Sequence, residues 1–257
     1  MSEVSLLVAS RISKSYAGIV ALDGVDLEVG PGELVGLVGP NGAGKTTLFD
    51  CILGVTAPDR GTVSFAGVDL GRLPVHRRAR LGLGRTFQRL EMFTGMTVRE
   101  HLLVAERARR GDGALWKDAL GMGRTRGEEL ERTDRTLELL HLTDVADRPV
   151  ESLSLGRSRL VDVGRALMTD PRLMLLDEPS SGLDRLETDA LAESLGAVHQ
   201  ERGVAVLLVE HDLDLVRAFV SRLYVMDSGR VIASGPAEAV LSDELVRSAY
   251  VGQGREP

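Results

Sequence analysis

Residues 39–47 read Gly39-Pro40-Asn41-Gly42-Ala43-Gly44-Lys45-Thr46-Thr47. The spacing is G-x-x-x-x-G-K-T, and the chemistry it serves is phosphate binding. The glycines let backbone N–H groups converge on phosphate oxygens with no Cβ in the way. The flanks agree with this reading: ELVGLVG before the loop has the composition of a strand, and TTLFDCILG after it opens a helix. The helix N-terminus adds partial positive charge. Lys45 sets a full charge against the β- and γ-phosphates of a nucleoside triphosphate, and Thr46 offers a hydroxyl to Mg2+. Lysine is scarce in this chain, with only Lys14, Lys45 and Lys117, so one of the three stands at the required place.

A second group lies at 173–178, Leu173-Met174-Leu175-Leu176-Asp177-Glu178, stopped by Pro179. An apolar run leads directly into two carboxylates. Charges at the end of a buried strand are costly unless something uses them. Asp177 is the expected partner of the magnesium shell. Glu178 follows at once, so strand alternation points its side chain the other way, free to polarise an attacking water.

Elements of two kinds must hold these groups. Short apolar runs alternate with longer helical patterns, which predicts an α/β sheet. The early strand-like runs are Leu6 to Ile12, Val25 to Val29, Leu34 to Val38 and Thr62 to Phe65, separated by Gly and Pro turns such as VGPGE and APDRG. The late ones are Leu173 to Leu176, Val204 to Val209 and Leu223 to Met226. The first two of these are apolar throughout, as strands buried on both faces should be. From about 97 to 169 the pattern is helical. MTVREHLLVAERARR opens with Thr97 and carries Glu100 three residues later, a capping box. Residues 111–127 are rich in Gly and Arg and read as a connection, and 128–142 are amphipathic. A helical lobe inserted into an α/β lobe is therefore expected, followed by a short helical pattern from about 236.

Composition narrows the classes. The chain of 257 residues carries 31 Lys+Arg against 38 Asp+Glu, a net charge of −7, which argues against coating nucleic acid by bulk charge. Aromatic residues make up only 4%, which disfavours base stacking and aromatic cages. Cys51 is the single cysteine, which excludes an intrachain disulfide and a Cys-rich metal site. The first residues lack the basic-then-apolar pattern of a signal peptide, and no apolar stretch approaches the ~18 residues of a membrane span. The expectation is a protein of a reducing compartment.

Residues 152–167, SLSLGRSRLVDVGRAL, make the reading specific. Here the chain resembles the ABC ATPases, whose signature L-S-G-G-Q leads a helix ending A-R-A-L. Leu153, Ser154 and Gly156 match; Leu155 replaces a glycine and Arg157 a glutamine. Physically, a Ser hydroxyl and a Gly N–H open a helix at Gly156, a second anion-binding terminus. Other positions match in the same order. Tyr16 stands where the family sets an aromatic on the adenine ring, and Gln88 in RTFQ matches the glutamine at the junction with the helical lobe. Ser181-Gly182-Leu183-Asp184 matches the D-loop, and His211 in LLVEHD matches the switch histidine that touches the γ-phosphate. The resemblance implies a P-loop NTPase (RecA-like) core with an antiparallel β subdomain and an inserted α-helical subdomain. It implies one ABC ATPase domain over 1–257, with a nucleotide-binding α/β lobe over 1–90 and 168–257 and a helical lobe over 91–167 carrying the signature.

Further segments are similar to the branched-chain amino acid uptake branch, in particular to the longer of its two ATPases. They are GRTFQRLEMFTGMTVREHLLVA, VEHDLDLV, VMDSGRVIASGPAEAV and the closing SAYVGQ. Related patterns also serve urea and short-amide uptake and lipopolysaccharide export, and a non-transport ABC ATPase is the remaining alternative. The resemblance implies ATP and Mg2+ as cofactors. It implies a second ATP-binding subunit, either another copy or a paralogue, met head to tail. It implies integral-membrane permease subunits, and indirectly a periplasmic or extracellular substrate-binding protein, with no nucleic acid. The place implied is the cytoplasmic face of the cell membrane, as a peripheral subunit. In that arrangement ATP lies between Gly39–Thr47 of one subunit and Ser154, Gly156 and Arg157 of the other, with Asp184 nearby. Lys45, His211 and the metal held by Thr46, Gln88 and Asp177 spread the developing charge, while Glu178 orients water. Arg157 adds charge beside the shared ATP, where it either strengthens the γ-phosphate contacts or interferes with a neighbouring cation. Leu160 stands where relatives commonly have Arg.

Overall fold

A computed structural model of the chain describes residues 5–86, 92–110 and 127–243. Its strands form two sheets. One is four-stranded and antiparallel, built from β1 (Leu7–Tyr16), β2 (Ile19–Val29), β4 (Arg60–Phe65) and β5 (Val68–Asp69) in the order β2-β1-β4-β5. The other is six-stranded, from β3 (Leu34–Val38), β6 (Leu83–Arg85), β7 (Leu173–Asp177), β8 (Ala205–Val209), β9 (Arg222–Asp227) and β10 (Arg230–Pro236), in the order β10-β9-β3-β8-β7-β6. All neighbours in the larger sheet run parallel except β10, which closes one edge as an antiparallel strand.

Every residue of β7 and β8 is buried, because both faces of this sheet are covered. Alternation decides which cover each residue meets. Leu173, Leu175, Leu207, Val209 and Met226 face the antiparallel sheet and the helix Lys45–Leu53. Met174, Leu176, Val206, Leu208 and Val225 face the helical residues, among them Leu102, Leu160, Leu167 and Leu191. Burying each such side chain contributes about 1.5–3 kcal/mol.

Between β6 and β7 the described α-helices are Val98–Arg110, Gly127–Leu139 and Leu155–Met168. The capping box read at Thr97 forms in full: Thr97 N–H donates to Glu100 Oε2 at 2.8 Å, and Glu100 N–H donates to Thr97 Oγ1 at 3.2 Å. Gly164 lets two of these helices close up, since a Cβ there would stand 2.8 Å from Leu102 and 3.0 Å from Leu140.

Several local expectations are corrected. The first strand runs on to Tyr16 rather than ending at Ile12; Arg11 takes φ +49° in a register shift, which breaks the alternation by which the continuation would be read. Strands β5, β6 and β10 carry no clear sequence signal, being two or three residues long or, in β10, lacking any buried residue. The signature helix begins at Leu155, one residue before Gly156, because Ser154 is its N-cap. Residues 111–126, Gln88 and the closing SAYVGQ lie outside the described residues.

Candidate functional site

Parallel strands end on one rim of their sheet, and loops leaving that rim form a crevice where the strand order turns back. Here β3, β7 and β8 are neighbours, so the loops that follow them meet. They lead to Lys45, Glu178 and His211 respectively, with Asp177 at the end of β7 beside them.

The loop after β3 wraps a helix N-terminus. Gly44 caps the helix Lys45–Leu53 in a left-handed conformation, φ +101°, with no side-chain cap. A Cβ on Gly44 would lie 2.5 Å from the Ala21 carbonyl oxygen, so glycine is required twice over, by conformation and by space. The first-turn N–H groups of this helix, from Lys45 to Thr47, have no intrahelical acceptor and are available to an anion. The loop is stitched to the antiparallel sheet through the turn between β9 and β10: Gly229 N–H donates to Ala43 O at 3.0 Å, and Asp23 N–H donates to Gly229 O at 2.9 Å.

Lys45 is 6% exposed and folds back on the loop, donating to Gly39 O at 2.6 Å and Pro40 O at 3.0 Å. Burial pulls its pKa below the usual lysine value, opposed by the nearby Glu178 and Asp177 carboxylates. An anion that took the place of those two carbonyl oxygens would restore what burial removes.

Asp177 closes β7 and is 3% exposed. No hydrogen bond from a described residue reaches its carboxylate. Burial, and next the adjacent Glu178, push its pKa up. Among the described residues no cluster of three His, Cys, Asp or Glu side chains exists that would hold a metal by itself. A hard divalent cation held by one buried carboxylate, the Thr46 hydroxyl and phosphate oxygens fits this chemistry.

Glu178 does not continue the strand as the alternation argument expected. It takes a left-handed conformation, φ +49°, and starts a turn in which Ser181 N–H donates to Glu178 O at 3.1 Å. A non-glycine residue in that region is uncommon and marks a constrained position. The turn aims the side chain at the next loop, where Glu178 Oε1 lies 2.9 Å from His211 Nε2.

Tyr16 ends β1 opposite Ile19, is 46% exposed, and has the Lys14 ammonium 5.4 Å from its ring centroid. Lys14 is in turn held by Asp59 at 2.8 Å. The signature residues sit elsewhere. Ser154 Oγ accepts from Arg157 N–H at 3.4 Å, Gly156 N–H donates to Glu187 Oε1 at 3.2 Å, and the Arg157 guanidinium pairs with Asp144 at 2.7 Å. Asp184 caps the helix Arg185–Arg202 by accepting Glu187 N–H at 2.9 Å. No hydrogen bond or ion pair among the described residues joins Ser154, Gly156, Arg157 or Asp184 to the loop 39–47.

The family model described as ABC transporter matches residues 22–181, well over half of the chain. The chain belongs to the ABC transporter family. An ABC transporter relative in Pseudomonas aeruginosa, the high-affinity branched-chain amino acid transport ATP-binding protein BraF, is 36% identical over 251 residues, covering 96% of this chain and 98% of its own. The lipopolysaccharide export system ATP-binding protein LptB of Haemophilus influenzae is 33% identical over 250 residues, covering 97% and 98%. The ADP conformation of an ATP-binding cassette of an ABC transporter superposes with a TM-score of 0.85 at 33% identity, covering 97% of this chain and all of the other. The chain is thus an ATP-binding, ATP-hydrolysing ABC transporter subunit with the P-loop NTPase fold. Among its described residues no helix is long and apolar enough to cross a membrane.

The motif reading passed over Glu210 and Glu187. Glu210 had a signal, since it is a carboxylate directly following an apolar strand. Glu187 had none, because its partner Gly156 lies 31 residues away.

Proposed function

We propose that this chain energises uptake of branched-chain amino acids by hydrolysing ATP beneath a membrane permease. The cargo is supported by the 36% identity to the uptake ATPase of Pseudomonas aeruginosa over nearly the full length of both chains. The chemistry is supported chiefly by the pairing of Glu178 and His211 across the ends of adjacent strands, beside Lys45 and Asp177.

In this reading the loop 39–47 receives the β- and γ-phosphates, and Lys45 exchanges the Gly39 and Pro40 carbonyl oxygens for phosphate oxygens. Asp177 and Thr46, with Gln88 added by resemblance, would hold Mg2+, whose charge would offset that of the phosphate oxygens when bound. Tyr16 supports the adenine. Glu178 orients a water whose oxygen bonds to the γ-phosphorus in line as the bond to the bridging oxygen breaks. ADP and inorganic phosphate leave, and the water's proton passes first to the Glu178 carboxylate. His211 steadies Glu178 and the γ-phosphate oxygens.

Ser154, Gly156 and Arg157 do not reach this loop within one chain, and a helix N-terminus capped by Ser154 suits an anion brought by another subunit. That supports a head-to-tail pair, with a second copy or a paralogue, in which each ATP joins the two surfaces. A groove of about 350 Å3 lies between Leu53, Val55 and Val75 on one side and Ala105 and Ala166 on the other, and supports a junction there between a helical lobe, 91–167, and an α/β lobe, 1–90 with 168–257. An apolar groove at a lobe junction suits a permease segment, and would set the chain on the cytoplasmic face of the membrane.

The test is co-purification of the Glu178→Gln variant with ATP and Mg2+ from gently solubilised membranes. Two polytopic membrane proteins and a second ATPase are expected, followed by leucine uptake in vesicles containing the complex. Partners of a lipid-export assembly would favour the second reading, which the 33% identity to LptB supports. Ribosomes, or no membrane partner, would sink both.

A further inference from the structure

Strand β8 runs directly into a carboxylate, Glu210, which is 2% exposed. A carboxylate at that depth is costly unless donors surround it. Burial pushes its pKa up, and the N–H groups it accepts from pull the other way. Those donors come from two different loops. Oε1 accepts Ser180 N–H at 2.8 Å, in the turn begun by Glu178, and Oε2 accepts His211 N–H at 3.1 Å. The Ser180 hydroxyl and Asp212 N–H approach the same carboxylate.

The neighbours make this bridge consequential. The parallel ladder fixes β7 and β8 only as far as Asp177 and Val209. Beyond it the backbone is joined once, by Glu178 N–H to Val209 O at 2.9 Å. Glu178 itself holds φ +49°, which needs support from its surroundings. The Glu178–His211 pair is partly solvated, 23% and 39% exposed, and a solvated pair contributes little to holding two loops together. The buried Glu210 carboxylate directs one oxygen at each loop.

We infer that Glu210 is a positioning residue for ATP hydrolysis: bridging Ser180 and His211, it holds the Glu178 turn and the His211 loop at the spacing that brings Glu178 and His211 together. The inference rests on the reading of Glu178 and His211 as the reacting pair. A carboxamide at 210 keeps one acceptor oxygen but turns an NH2 group toward the other loop's N–H donor, so one of the two loops is released.

The test is steady-state ATP hydrolysis by the full-length chain. Glu210→Gln is expected to lower kcat by about 30-fold or more while KM for ATP stays within about twofold, the split of a group that acts on the transition state. In a His211→Ala background the same change is expected to cost no more than about twofold, because both act through one arrangement. A stability role alone would not depend on the background. Wild-type kcat in Glu210→Gln, a raised KM with unchanged kcat, or losses that multiply in the double variant would each overturn the inference. If Glu210→Gln does not fold, Glu210→Asp keeps both oxygens on a shorter arm; a lowered kcat at unchanged KM supports the bridge and a wild-type kcat overturns it. His211→Ala at wild-type rate would instead sink the reading of the site. Normal turnover in Glu210→Gln beside a slow His211→Ala would sink this inference alone.

Discussion

His211 Nε2 lies 2.9 Å from Glu178 Oε1, although the two residues leave different strands and stand 33 positions apart. The contact exists because β7 and β8 are parallel neighbours, pairing Asp177 with Val209, so that the residues just beyond those ends face one another. Glu178→Gln keeps the shape and removes the carboxylate that the proposed mechanism uses as proton acceptor. It is expected to retain ATP binding, to lower turnover by about 10²–10⁴-fold, and to favour the ATP-bound dimer. Phosphate release and gel filtration with and without ATP check this; steady turnover at the wild-type rate removes Glu178 from the mechanism.

Lys45 donates to two carbonyl oxygens of its own loop and is nearly buried. Lys45→Ala removes the only lysine of that loop, and a lost charge-assisted contact is worth roughly 1.5–3 kcal/mol. Nucleotide affinity is expected to fall by about 10- to 100-fold. Titration calorimetry reads this, and unchanged binding would count against phosphate recognition by Gly39–Thr47.

Arg78 is 4% exposed and donates to the carbonyl oxygens of Cys51, Ile52, Leu70 and Leu73 at 2.7–2.8 Å. It thereby caps the C-terminal turn of the helix Lys45–Leu53. Arg78→Ala leaves buried carbonyls without donors and is expected to cost about 3 kcal/mol. For a chain of this size that lowers Tm by roughly 6–12 °C in a thermal melt. A loss under about 2 °C would show that water replaces the guanidinium freely.

His101 is 1% exposed, with Nδ1 donating to Thr97 O at 2.9 Å and Nε2 accepting Phe93 N–H at 3.0 Å. This pattern needs the neutral ring. Burial, and after it the Arg165 charge, hold the pKa below the usual histidine value, against the Thr97 carbonyl and the Glu100 and Glu151 charges. With the folded pKa depressed, the unfolded chain takes up the proton first as pH falls. The histidine's contribution to stability is therefore whole above the ordinary histidine pKa of 6.5 and is lost as pH falls toward the folded value. His101→Gln is expected to flatten Tm against pH between about 7 and 5 relative to wild type. Parallel curves would contradict it.

The legible part of this protein was local. Thr97 and Glu100 stand three apart and cap one turn, so their spacing predicts a bond the fold then contains. The loop 39–47 and the run 173–178 carry composition, spacing and flanks in one stretch of chain. What escaped was either too short to have a period, as in β6, or hidden by a backbone irregularity, as at Arg11 in β1. The extent of the helix at Leu155 turned on a single cap, Ser154, that spacing locates only to within a residue.

The glycine-rich loop 39–47, the carboxylate-ended buried strand β7 and the helices between β6 and β7 were readable in advance, because each is written in residues that are neighbours along the chain. Tertiary structure alone decided that Glu178 turns toward His211, that Glu187 meets Gly156, that Arg78 caps a helix 26 or 27 residues earlier, and that Glu210 joins Ser180 to His211. For Arg78 and Glu210, the buried charges among these, one reason serves both. A buried charge must find its donors or acceptors in space, and which groups those are depends on the order in which the strands lie side by side.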